Sequence, residues 1–144
     1  EALAAELRDT LIIITADHGQ VDSKGVCIRD YPVIWGCLER IPTFEPRALN
    51  LFVKKDRRDE FERAFTGEFG QKFLLLPKEK VLEMKLFGCG NEHKDFRDML
   101  GDYLAVAVAD LSIFKTNADA EKFIGVHAGL TEDEMIIPLI IVDV

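Results

Sequence analysis

The stretch that decides the fold is residues 11–15, Leu-Ile-Ile-Ile-Thr, followed directly by residues 16–20, Ala-Asp-His-Gly-Gln. A continuous run of aliphatic and β-branched residues is typical of a strand covered on both faces, as in a parallel sheet flanked by helices. Ligands of such sheets bind at the carboxyl ends of the strands. The sequence therefore predicts an α/β fold and places Asp17 and His18 where a binding site is expected.

Outward from this strand, the pattern predicts a helix end at 1–8, short helices at 33–39, 78–84 and 118–123, a longer amphipathic helix at 57–69, a helical turn at 96–100, and strands at 47–54, 73–76, 103–108, 111–114 and 136–142. Residues 47–87 follow the order strand, helix, strand, helix and are interpreted as an insertion with its own sheet. We predict a small inserted α+β lobe, 42–115, between the two parts of a core made of residues 1–41 and 116–144.

Length and composition exclude several classes of protein. With 144 residues, of which 48% are hydrophobic and 31% charged, the chain suits one compact domain with a buried core. Its net charge of −8 argues against binding a nucleic-acid polymer through the phosphate backbone. The longest apolar run, 136–142, contains Pro138 and is too short to span a membrane. Three cysteines without a CxxC pair favour a reducing, cytoplasmic location.

Asp17 and His18 pair a carboxylate oxygen with an imidazole nitrogen, a mixed donor set that zinc, manganese or iron accepts. A strand-end turn in which Asp17 caps a backbone N–H is the alternative. His127 lies in a loop between Gly125 and Gly129 and could be a ligand or a surface histidine. Thr131 and Glu134 fit a capping box just beyond it. His93 is surrounded by charged residues and is predicted to be solvated.

Two segments carry a resemblance to a known family. Residues 10–20 (TLIIITADHGQ) resemble the metal-ligand strand of the alkaline phosphatase superfamily, and residues 127–140 (HAGLTEDEMIIPLI) resemble its late histidine segment. Both are most similar to the type I phosphodiesterase/nucleotide pyrophosphatase branch, and they occur in the same order. The resemblance implies the C-terminal part of such an enzyme: part of an alkaline-phosphatase-like, mostly parallel sheet with flanking helices and a small inserted α+β lobe.

The same resemblance implies a two-metal site, with zinc or manganese as the expected ions. Asp17 and His18 would bind the metal that also holds the nucleophile, and His127 would bind the second metal. Gly19 and Gly129 would let the ligand-bearing loops approach the metals. The threonine or serine nucleophile is expected upstream of Glu1, so no catalytic nucleophile is assigned here and the isolated chain is expected to be inactive.

The expected substrate is a small phosphorylated molecule or nucleotide. Two alternatives remain open on the sequence. One is a phosphomonoesterase, phosphomutase, phosphonate hydrolase or sulfatase of the same superfamily. The other is a non-catalytic α/β binding module. If the chain is part of a longer protein, its sheet has an unpaired edge, and self-association through that edge is expected.

Overall fold

The computed structural model describes residues 2–144, so Glu1 of the predicted N-terminal helix lies outside the described residues. In chain order the elements are α1 (Ala2–Glu6), β1 (Leu11–Thr15), β2 (Val21–Asp22), β3 (Lys24–Cys27), α2 (Pro32–Cys37), β4 (Thr43–Glu45), β5 (Ala48–Leu51), α3 (Arg58–Phe69), β6 (Phe73–Pro77), α4 (Lys78–Glu83), α5 (Phe96–Met99), β7 (Tyr103–Ala107), β8 (Leu111–Phe114), α6 (Asn117–Lys122), β9 (Gly125–Val126), α7 (Glu132–Met135) and β10 (Leu139–Asp143). Short 3-10 turns precede α2 and α3.

The main hydrophobic core lies between α3 and an antiparallel sheet with the strand order β4-β5-β7-β6. Phe61, Phe65 and Phe69 recur every fourth residue of α3 and are fully buried. This spacing places the three rings on one face of the helix, and burial of each ring contributes about 2 kcal/mol to folding. The amphipathic helix predicted at 57–69 is therefore confirmed, as are the strands predicted at 73–76 and 103–108.

Side chains from before the four-stranded sheet enter the same core. Ile28, Ile34 and Cys37 pack with the phenylalanines of α3. The division into a core of 1–41 and 116–144 and a lobe of 42–115 stays a prediction. The structure does show that residues 28–38 share one apolar cluster with α3 and its sheet.

The expectation of a mostly parallel sheet is not met in residues 2–144, because the described sheets are mainly antiparallel. One pair, β3 with β8, is parallel, whereas β1–β10 and β2–β9 are antiparallel two-stranded sheets. The sequence does not predict β2, β3 or β4, because Gly25 and several prolines interrupt the pattern between residues 21 and 47. The fold is nevertheless α/β, with short sheets and flanking helices.

Strands β1 and β10 form what we call the apolar ribbon, residues 11–15 paired with residues 139–143. Ile13 lies opposite Ile141, and Ile14 lies opposite Ile140. Six of its aliphatic side chains are more than half exposed: Leu11, Ile13, Ile14, Leu139, Ile140 and Ile141. The strands predicted at 11–15 and 136–142 are present. The predicted burial of the first on both faces is wrong for the described residues, because Ile13 on one face and Ile14 on the other are both more than half exposed.

No helix among residues 2–144 combines the length and the apolar composition that a membrane crossing requires.

Candidate functional site

His18 and His127 lie side by side, although they come from opposite ends of the chain. Their ring centroids are 3.7 Å apart and the ring planes differ by 13°. The pairing of β2 with β9 produces this contact, because Val21, shortly after His18, lies opposite Val126, just before His127. Two segments that are far apart in the sequence are thus in contact.

Asp17 and His18 follow directly on the end of the apolar ribbon. The Nδ1 atom of His18 lies 2.7 Å from the carbonyl oxygen of Gly19. Since a carbonyl only accepts, Nδ1 donates this hydrogen bond, and in the neutral tautomer that can do so Nε2 carries the lone pair. Oδ2 of Asp17 lies 3.7 Å from this Nε2. Oδ1 of Asp17 accepts the backbone N–H of His18 at 3.1 Å, so the turn-capping contact is also present.

The donor chemistry of this corner can be compared with that of a zinc site. Two ligands of a tetrahedral zinc ion, each about 2.1 Å from it, lie roughly 3.4 Å apart. The separation of 3.7 Å between Asp17 Oδ2 and His18 Nε2 is close to this value. A histidine whose other nitrogen donates to a carbonyl is also typical of metal ligands. These donors fit part of a coordination sphere, but residues 2–144 hold no preformed cluster of three or more metal-binding side chains.

A buried ion pair lies next to the His127 loop. Nε and Nη2 of Arg47 donate to the two carboxylate oxygens of Glu134 at 2.6 and 2.7 Å, and both side chains are buried. Thr131 donates to the same carboxylate through Oγ1 at 2.6 Å and through its backbone N–H at 3.3 Å. Burial by itself would raise the pKa of Glu134, but the hydrogen bonds from Arg47, Thr131 and Gly129 outweigh it and lower the pKa to about 2.

Sequence reasoning identified Glu134 only as half of a capping box with Thr131, and that capping box is present. It missed Arg47, which lies 87 positions away in the chain. Arg47 directly precedes strand β5, and the sequence around it gives no local sign that its charge will be buried against the carboxylate of Glu134.

The backbone around the two histidines is closely packed. A Cβ atom on Gly19 would lie 1.8 Å from the carbonyl oxygen of Asp133, and one on Gly129 would lie 2.6 Å from Glu134 Oε2. In the described residues these glycines therefore allow protein segments to approach each other, which is a different role from the predicted approach to a metal. Ala128, between His127 and Gly129, has a φ of 83°, a conformation that costs energy for a residue with a Cβ.

The other chemically active side chains lie elsewhere. The side chain of His93 is 71% exposed, as predicted for a solvated residue. Cys27 and Cys37 are buried free thiols and Cys89 is an exposed one.

A cavity of about 380 Å³ opens beside His127. Phe44, Phe114 and Phe123 form part of its apolar wall, and its charged lining residues are Lys115, Glu45 and Asp119. The rings of Phe114 and Phe123 are parallel within 9°. The volume is in the range of small-molecule sites.

Searches with protein-family models and among curated proteins match nothing. Solved structures do match, and they define the fold as that of a part of nucleotide pyrophosphatase/phosphodiesterase and phosphonoacetate hydrolase structures. This confirms, for the fold, the resemblance carried by residues 10–20 and 127–140.

The murine ectonucleotide pyrophosphatase/phosphodiesterase 5 is 18% identical with a TM-score of 0.62, and the match covers 92% of this chain and 34% of that one. The human protein of the same name is 17% identical with a TM-score of 0.63, covering 93% and 34%. Phosphonoacetate hydrolase from Sinorhizobium meliloti, in complex with phosphonoformate, is 17% identical with a TM-score of 0.63, covering 92% and 36%. The chain spans about a third of the length of each structure.

Proposed function

We propose that this chain supplies part of the two-metal site of a phosphodiesterase or nucleotide pyrophosphatase-like hydrolase. Asp17 and His18 contribute to one divalent ion, and His127 contributes to the other. The observation that carries the proposal is the contact between His18 and His127 at 3.7 Å, next to the Asp17 carboxylate. A structural likeness to phosphodiesterase and phosphonate hydrolase chains supports it.

The orientation of His18 and the charge of the chain are compatible with a role in binding metal ions and an anionic substrate. When bound, two zinc or manganese ions would neutralise the charge of a phosphodiester and activate the attacking group. The Nδ1–H of His18 donates to the carbonyl of Gly19 and so directs Nε2 outward, toward the Asp17 carboxylate. A net charge of −8 is compatible with an anionic substrate when positive charge is supplied locally at the site.

The cavity and the comparisons support a proposal for the substrate class. The cavity beside His127 has room for a small organic group, with Phe44 and Phe114 as apolar contacts. An inactive variant of the murine enzyme is described in complex with AMP, and the bacterial hydrolase in complex with phosphonoformate. We therefore propose a small phosphorylated molecule or a nucleotide as the substrate.

Residues 1–144 alone are expected to bind metal weakly and to hydrolyse no phosphodiester. Catalytic zinc sites usually have three protein ligands and an open position for each ion, whereas this chain brings Asp17, His18 and His127 together for two ions. The composition of the apolar ribbon is a separate observation, because both of its faces carry the aliphatic residues that are typical of inner strands of a sheet. We infer that the ribbon belongs to a larger, mostly parallel α/β sheet and that its edges favour self-association otherwise.

Metal titration tests the proposal. Zn²⁺ and Mn²⁺ binding to the chain is measured by calorimetry for the wild type, Asp17→Asn, His18→Ala and His127→Ala. Each substitution is expected to weaken binding, while the matched control His93→Ala leaves it unchanged. Equal binding by the wild type and all three site variants would contradict the proposal and favour a non-catalytic module.

Turnover of bis-p-nitrophenyl phosphate by the chain tests the expected inactivity. We expect no turnover above that of a metal-only blank. Turnover that persists through metal-free purification and disappears in His127→Ala would show that the chain is active alone.

A second reaction class has a specific observation in its favour. The phosphonoacetate hydrolase matches this chain as well as the nucleotide pyrophosphatases do, with TM-scores of 0.63 and 0.62. Binding of AMP and of phosphonoformate to the zinc-loaded chain, measured side by side, separates the two. Preference for phosphonoformate would favour a phosphonate hydrolase.

A further inference from the structure

Glu134 is the residue at which the two histidine loops meet. Its side chain accepts the backbone N–H of Gly129 at 2.8 Å, two residues after His127. Its backbone carbonyl accepts the N–H of Gly19 at 2.9 Å, one residue after His18. One residue therefore fixes both loops, the first through its carboxylate and the second through its main chain.

Arg47 connects this junction to the four-stranded sheet. Its backbone carbonyl accepts the N–H of Ala107 at 2.8 Å, at the end of β7, and its Nη1 donates to the carbonyl of Leu111 at 3.0 Å. Ala107 in turn accepts the N–H of Leu130 at 2.8 Å, three residues after His127. The backbone of Arg47 is thus bonded to the four-stranded sheet, and its guanidinium is bonded to β8 as well as to Glu134.

The strained Ala128 shows that the His127 loop is held from outside. A non-glycine residue at a φ of 83° persists only when its surroundings enforce that conformation. The next residue, Gly129, provides the enforcing contact, since its N–H is bonded to Glu134 and its Cα lies against Arg47 and Glu134.

A purely stabilising role does not require this arrangement. Taking two charges out of water is costly, and an apolar pair of similar volume is often as stable as a buried ion pair. What an apolar pair cannot do is accept the N–H groups of Gly129 and Thr131. The bidentate geometry fixes the direction of the carboxylate as well as its position.

We propose that Arg47 and Glu134 are positioning residues that hold the rings of His18 and His127 in contact. Through Arg47, the segment 42–115 then sets the geometry of a site whose proposed ligands lie outside that segment. The proposal rests on the proposed function only for its consequence, the binding of metal, since the ring contact itself is independent of it.

The test measures ring contact and stability in the same variants. In the full chain, cross-relaxation between the ring protons of His18 and His127 is recorded by NMR, and thermal unfolding is recorded alongside. Glu134→Gln is expected to lose the ring contact. The double variant Arg47→Met with Glu134→Met is expected to recover thermal stability toward the wild type without recovering the contact.

Two further variants keep the test decisive. Arg47→Lys keeps the charge and loses the two-pronged contact, so we expect a partial loss of cross-relaxation even if the other variants unfold. Glu92→Gln is the matched control, because it breaks the exposed two-pronged pair of Glu92 with Arg97. Its spectrum of the His18 and His127 rings should be that of the wild type.

Zinc binding separates this inference from the proposed function. Where the wild type binds Zn²⁺, Glu134→Gln is expected to bind it about tenfold more weakly, as for other residues that orient ligands. A wild type without zinc binding but with a ring contact that depends on Glu134 would support positioning and refute the proposed function. A contact between the His18 and His127 rings that survives in the folded double variant, Arg47→Met with Glu134→Met, would overturn the positioning role.

Discussion

The core around α3 and the apolar ribbon are built from similarly apolar residues but have opposite environments. Phe65 and Leu51 are fully buried, whereas Ile13 and Ile141 are more than half exposed. The first region has a helix packed on its sheet, whereas the second exposes aliphatic side chains on both of its faces. Apolar composition therefore marks what a strand needs, while burial depends on which other segments are present.

The largest expected effect is the loss of stability when the core around α3 is disrupted. Phe65→Ala opens a cavity in the core of α3, and we expect it to lower the free energy of unfolding by about 3–5 kcal/mol. The matched substitution in the ribbon, Ile13→Ala, should change it by less than about 0.5 kcal/mol. Urea unfolding followed by fluorescence of Trp35 measures both. Equal losses in the two variants would mean that the ribbon is covered in solution.

The next effect tests the buried ion pair of Arg47 with Glu134, which joins the segment 42–115 to the His127 loop. The folded-state pKa of Glu134, about 2, lies below the ordinary value of 4.5. The carboxylate therefore stabilises the fold above about pH 4.5, and this contribution, on the order of 3 kcal/mol, is lost as the pH falls toward 2. The slope of unfolding free energy against pH should be smaller in Glu134→Gln. An unchanged slope in a folded variant contradicts the assignment.

The smallest expected effect on stability comes from substitutions in the exposed apolar ribbon. Ile13→Lys with Ile141→Glu places opposite charges on neighbouring strands of the ribbon, where the two residues lie opposite each other. We expect stability to change little and self-association of the chain to decrease, because charged side chains block edge-to-edge pairing. Sedimentation at several concentrations measures the association. A monomeric wild type would remove the proposed edge contact.

Much of the local structure is predictable from the sequence. The spacing of Phe61, Phe65 and Phe69 determines α3, and the aliphatic run determines β1. Asp17 and His18 are placed correctly at the end of that strand, and Thr131 and Glu134 form the expected capping box. These predictions hold because each depends on residues a few positions apart, where periodicity and capping act directly.

Only the tertiary structure decided which distant segments meet. The antiparallel pairing of β1 with β10, the contact of His18 with His127 and the burial of Arg47 against Glu134 all join residues that are far apart in the chain. No local pattern encodes these partners, because strand pairing and charge neutralisation depend on the whole packing. The sequence by itself determined most of the elements and the positions of Asp17, His18 and His127 along the chain, and long-range packing determined that the rings of His18 and His127 meet.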